Sequence, residues 1–262
     1  MQAISRRTKF LIFTLVYISG SLAFEFSRFD KNLYALIFSL IILLLNLLAL
    51  YPGYRVKDLF YISFEPFVLT ISTLYGLLFF PNLNLFFKLG LVFVSAVLLY
   101  ISTLTNNLTI AEKTEDLSLP LFRVGLIWTQ ILLILQSIPL VTIVYKLNLP
   151  FYIQSLLILV YFVCASLSYL HTFLLTKKGE EVSKGEQIVL LLQMSFMPLA
   201  GSLATSFIPA ETFLRATFIT SLFMGMVGYT RNFLDNALTK RLIIQYSLII
   251  LFFLIVLILF KN

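Results

Sequence analysis

The sequence offers very little of the side-chain chemistry on which most sites are built. In 262 residues it has one cysteine, Cys164, and one histidine, His171. A lone cysteine closes no internal disulfide, and one histidine with one cysteine and scattered carboxylates is too few for a zinc site. No glycine-rich phosphate loop, no G-x-S-x-G and no H-E-x-x-H occurs, so nothing here signals nucleotide, serine-hydrolase or metalloprotease chemistry. No cofactor and no metal is expected on these grounds. Charge is scarce as well, at 12% of residues, and that scarcity leads to what is present.

Sixty per cent of the residues are hydrophobic and the mean hydropathy is +0.99. A soluble domain is roughly half apolar, so this chain belongs in a bilayer. A hydrocarbon core of about 30 Å needs roughly 20 helical residues at about 1.5 Å each. Nine apolar runs of that order occur, near 9–26, 33–51, 59–80, 83–104, 120–145, 151–176, 187–207, 212–229 and 242–260. The expected fold is all-α, a polytopic transmembrane helix bundle forming one integral membrane domain over 1–262. The intervening loops are too short to bury a core of their own.

The net charge of +7 is laid out as topology rather than as a basic patch, which excludes nucleic acid as the partner. With the N-terminus inside, the outer side holds only Arg28, Lys31, Lys88, Lys146, Arg215 and Lys261, and the other thirteen of the 19 Lys and Arg lie inside. This follows the positive-inside rule and puts the C-terminus outside. The location read from this pattern is a cell membrane, crossed many times and of the prokaryotic cytoplasmic kind. "SRRTK" followed by "FLIFTLVYISGSLA" also has the form of a signal peptide; cleavage would leave eight spans, oriented alike. The sequon at Asn107 to Thr109 falls inside and carries no weight. The loop after the fourth run is acidic, with Glu112, Glu115 and Asp116 against Lys113, either a solvated loop or a contact for a basic partner.

Polar residues in a span turn towards the bundle interior or a water-filled cavity. On the third run Glu65, Ser72, Thr73 and Gly76 form one helical stripe; the fifth offers Arg123, Gln130 and Ser137; the sixth Tyr161, Cys164, Ser168 and His171; the seventh Ser195, Ser202 and Ser206. Small and hydroxyl residues at this spacing are also the ordinary packing surface between transmembrane helices. The ninth run is apolar all round, as a helix at the lipid-facing edge would be. "SFEP" at Ser63 to Pro66 and "SFMP" at Ser195 to Pro198 look like a repeat, but "SFIP" at Ser206 to Pro209 shows the pattern to be coincidence.

Glu65 is the residue that needs an account. A span starting only at Pro66 would have 15 residues, about 22 Å, short of the bilayer core. Starting near Leu59, it fits, and Glu65 then lies about two turns inside. A bare carboxylate near a helix centre costs some 2.5 kcal/mol or more, so it is paired or neutral. Pro66 frees the carbonyl of Ile62 and bends the helix there. The expected partner of Glu65 is Arg123 or His171.

Three functions are compatible with these features. The first is a small transporter or permease-like protein with an intramembrane substrate or proton site made from Glu65, Arg123, His171, Ser72, Gln130, Ser195 and Ser202. The second is a non-catalytic membrane partner or assembly factor. The third and weakest is an intramembrane enzyme acting on a lipid substrate, since no nucleophile and base pair is evident. The partners implied are the lipid bilayer, a small-molecule or lipid ligand, and a membrane protein.

Overall fold

A computed structural model describes residues 6–80, 82–115, 119–176 and 182–260. Among them are nine α-helices and no strand: α1 (Arg6–Phe26), α2 (Lys31–Leu50), α3 (Leu59–Phe79), α4 (Leu85–Glu115), α5 (Leu119–Lys146), α6 (Phe151–Thr176), α7 (Lys184–Thr205), α8 (Thr212–Leu234) and α9 (Lys240–Leu259), with a 3-10 turn at Val56–Asp58 before α3. Three of the helices, α2, α7 and α9, start where the sequence supplies a side-chain cap. Asp30 accepts from Leu33 N, Thr239 accepts from Leu242 N, and Ser183 with Glu186 forms a reciprocal capping box, each satisfying an amide that has no helical partner. After α8, Asn236 takes the left-handed conformation (φ 51°) that commonly ends a helix.

The expected spans and the helices agree closely, with one difference. α4 does not stop near residue 104 but runs to Glu115, so "TNNLTIAEKTE" is helix rather than loop. Thr105 and Thr109 bond back to carbonyls of their own helix, Arg6 donates to Asn107, and Ile110 packs among Phe10, Ala49, Leu50 and Ile62. Apolar contacts hold this extension, which hydropathy alone does not register. The side chains of the acidic group Glu112, Lys113, Glu115 and Asp116 lie outside the described residues.

Eight of the nine helices are long and apolar enough to cross a membrane, and the chain is a multi-pass membrane protein. α8 is the exception. Arg215, its threonines and its glycines dilute it, yet it buries Ala216, Phe218, Ile219, Phe223, Val227 and further residues. A helix covered by protein need not be apolar towards lipid. α9 is the converse: the most apolar span, it buries only Leu257, as expected of an edge helix.

The chain forms two compact units, residues 1–136 and 137–262, each described by itself. In the first, α1 presents Phe10, Phe13, Tyr17, Ser21 and Phe24 as one buried stripe, of which Phe13, Tyr17 and Phe24 pack with Ala35, Phe38, Ile42, Leu69, Leu74 and Leu99. Gly20 is required here, because a Cβ would overlap the Phe38 ring. In the second, Gly201 seats Leu222 and Gly228 seats the Tyr246 ring. Lipid tails are as apolar as these side chains, so close approach and interhelical hydrogen bonds, rather than apolar transfer, hold such helices together.

Candidate functional site

Pro66 lies inside α3 and cannot donate to the carbonyl of Ile62, four residues earlier. An orphaned carbonyl in hydrocarbon has to find another donor. It finds two. Asn46 Nδ2 of α2 donates to Ile62 O at 3.2 Å, and Asn106 Nδ2 of α4 donates to the same oxygen at 3.1 Å. Since a carbonyl can only accept, both amides must present their NH2 groups to it. The Oδ1 of Asn46 then faces Thr103 Oγ1 at 3.3 Å, while Thr103 also donates to Leu99 O at 2.9 Å. Four residues beyond the proline, Thr70 Oγ1 donates to Pro66 O at 2.7 Å. The break in α3 is thus held from both neighbouring helices.

Glu65 points into this assembly. It is 2% exposed, and one of its oxygens accepts from Ser102 Oγ of α4 at 2.7 Å. Ser102, Thr103 and Asn46 are completely buried. Glu65 has no ion pair among the described residues. Arg123, one of its two expected partners, is exposed; a long guanidinium side chain near a helix start reaches the interface more cheaply than it enters the core. Among the described residues of this unit an ion pair lies elsewhere, between Lys88 and Glu25. Where a cation was expected, the carboxyl meets a hydroxyl.

The other expected site residues divide between the units. Ser72 is buried on α3 with its hydroxyl unpartnered, and Gln130 is half-buried on α5. Neither bonds to Glu65. His171, Ser195 and Ser202 belong to the second unit. His171 is half-buried, Ser195 donates to Leu191 O at 2.8 Å, and Ser202 joins a group of hydroxyls with Tyr145 (2.9 Å) and Ser155 (3.1 Å). That group binds the ends of α5, α6 and α7 to one another, the packing role open to such stripes.

Two grooves lined by described residues open to the surroundings, and neither includes Glu65. One, of about 380 Å³, lies between α7 and α8 and includes Gln193, Tyr229 and Phe233; the other, of about 290 Å³, runs along α2 and includes Phe29, Tyr34 and Ile41. Among the described residues no three His, Cys, Asp or Glu converge to hold a metal ion.

Asn46, Ser102, Thr103 and Asn106 are the residues that reading the sequence missed. Asn46 stands alone in an apolar run, and Asn106 lies in what reads as a loop. A signal was nevertheless present: Lys88, Ser95, Ser102 and Thr109 recur at intervals of seven on α4, facing the Glu65 and Ser72 spacing on α3. Comparison of the chain with protein-family models, with curated proteins and with solved structures finds no match.

Proposed function

We propose that this chain is a small transporter or permease-like protein of a cell membrane, with Glu65 as its coupling or binding carboxyl. The observation that carries the reading is the setting of that side chain: 2% exposed, beside a proline break, with Ser102 as its hydrogen-bond partner and no cation paired to it among the described residues. A carboxyl kept only for structure is expected to have a cation or several donors, because a bare one is expensive in the bilayer. Here the donors go to the Ile62 carbonyl instead, and the carboxyl is left with capacity to take a ligand or a proton. The break supplies a place where the two halves of α3 can change angle.

An intramembrane enzyme is less well supported, since no second ionisable group hydrogen-bonds Glu65 among the described residues. The assembly-factor reading draws on the close packing around Glu65, which would then be a polar lock between helices. Purification in native lipid, followed by mass spectrometry of what co-purifies, separates the two. A small molecule bound to the wild type and lost in Glu65→Gln is the expected result; a protein partner retained equally by both would select the assembly role. The reading also keeps the N-terminus inside, so a reporter fused after Asn262 should score external.

A further inference from the structure

The groove between α7 and α8 belongs to the second unit and lies where α7 begins and α8 finishes. Gly201 of α7 faces Leu222 of α8; eleven residues back along α7 and on along α8, Leu190 comes level with Phe233. Both line the groove, together with Glu186, Val189, Gln193 and Tyr229. Leu190 is buried, and the Tyr229 and Phe233 rings have centroids 6.1 Å apart and planes within 12° of each other. Small-molecule sites are concavities of about 300–1,000 Å³, mostly apolar, with a few polar groups turned in. At about 380 Å³ the groove is of that size.

Its polar groups are not those of a packing surface. Gln193 lies nine residues into α7, about 13 Å along the helix, and is exposed. A spanning helix normally turns such a side chain into the bundle; here the amide lines the groove, and neither it nor the Tyr229 hydroxyl has a hydrogen-bond partner among the described residues. Charge then selects the class of ligand. The described basic residues at this end of the unit are Lys184, Arg231, Lys240 and Arg241, with His171 on α6, yet the charged side chain that lines the groove is Glu186. Lys184 stands two residues from Glu186, and Arg231 and Asp235 each stand two from Phe233, a spacing that does not share a helix face. Lys240 and Arg241 open α9. The partial positive charge of the first turn of α7 is offset by the partial negative charge of the last turn of α8. The full charge of Glu186 therefore decides the sign, and the faces of the two rings add attraction for a cation.

We propose that this groove binds an organic cation, whose charge meets Glu186, whose aromatic or alkyl body lies against Leu190, Tyr229 and Phe233, and whose hydrogen-bonding group reaches Gln193. Glu186 is equipped for this, because its capping bond from Ser183 N uses one of its two oxygens. A lipid tail would meet Val189 and Leu190 but leave the Gln193 amide facing hydrocarbon, and an anion would be repelled by the carboxylate. The inference stands apart from the reading of Glu65, which belongs to the first unit; either fails without the other.

The test uses the full chain in phosphatidylcholine nanodiscs, whose lipid has no net charge to gather cations. The probe is ethidium, a planar aromatic cation with two amino groups, followed by fluorescence polarisation. Saturable binding above that of empty nanodiscs is expected, displaced by tetraphenylphosphonium and not by uncharged phenanthridine. Glu186→Gln should weaken it at least about fivefold; glutamine also serves at the third position of a capping box, so the start of α7 is kept. Ser183→Ala, which breaks the box but keeps the carboxylate, should bind as the wild type does. Phe233→Leu and Gln193→Leu should each weaken binding about threefold. Binding no greater than that of empty nanodiscs, or unchanged in Glu186→Gln, would overturn the proposal, as would displacement by phenanthridine equal to that by tetraphenylphosphonium. A loss in Ser183→Ala as large as in Glu186→Gln would also overturn it, by assigning the effect to the cap rather than to the charge.

Discussion

Two spanning helices share the pattern Ser-Phe-x-Pro with opposite outcomes. "SFEP" on α3 and "SFMP" on α7 each put a buried proline inside a spanning helix. The residue before the first, Glu65, is 2% exposed; the residue before the second, Met197, is 42% exposed. In α3 the position faces a seam of amides and hydroxyls from α2 and α4. In α7 it faces outward and the buried side carries Ser195, Ser202 and Thr205 instead. The chemistry at a proline break is therefore set by which neighbours meet it, and the likeness of the two segments marks no equivalent position.

The largest effect is expected from forcing the two to match. Met197→Glu puts a carboxylate near the centre of α7 on an outward face, at a cost of about 2.5 kcal/mol or more, and should sharply lower the yield of folded protein in the membrane. Unimpaired yield would mean that this face of α7 is covered. Next, Asn46→Leu with Asn106→Leu strands the carbonyl of Ile62 and should cost about 1–3 kcal/mol in thermal or denaturant unfolding. In a Pro66→Ala background, where residue 66 regains its own amide, the same pair should cost less than about 1 kcal/mol. Equal cost in both backgrounds would detach the two asparagines from the break.

The second unit relies on close approach where the first relies on hydrogen bonds around a gap. Gly228→Ala should displace the Tyr246 ring of α9 and destabilise by about 1–2 kcal/mol, in the lower part of the range for overpacking, measured by unfolding in lipid nanodiscs. A smaller change belongs to Ser102→Ala. A single interhelical hydrogen bond in a membrane is worth about 0.6 kcal/mol, and the variant should lie within that of the wild type.

Much of this was legible in the sequence because the bilayer imposes its length on every span. The place of Glu65 about two turns inside α3 and the carbonyl freed by Pro66 followed from the length of the apolar run and from the missing amide of proline. The partners did not follow. Asn46 and Ser102 are single polar residues within apolar runs, and their meaning depends on which helix lies opposite, which no local pattern specifies. Arg123 appeared to be a partner by depth, but a long charged side chain can leave the level of its own Cα. The extension of α4 was missed for a related reason: Ile110 is held by neighbours from α1, α2 and α3, while its own segment is polar enough to read as loop.

The central claim is that Glu65 is present for function rather than to hold helices together. Unfolding of Glu65→Leu and Glu65→Gln beside the wild type, in nanodiscs of one lipid composition, tests it most directly. A side chain retained for function at a buried site adds little to stability, so both variants should unfold within about 0.5 kcal/mol of the wild type or be more stable. A loss of about 2 kcal/mol or more in both would contradict the claim and make the Glu65 to Ser102 contact a structural lock.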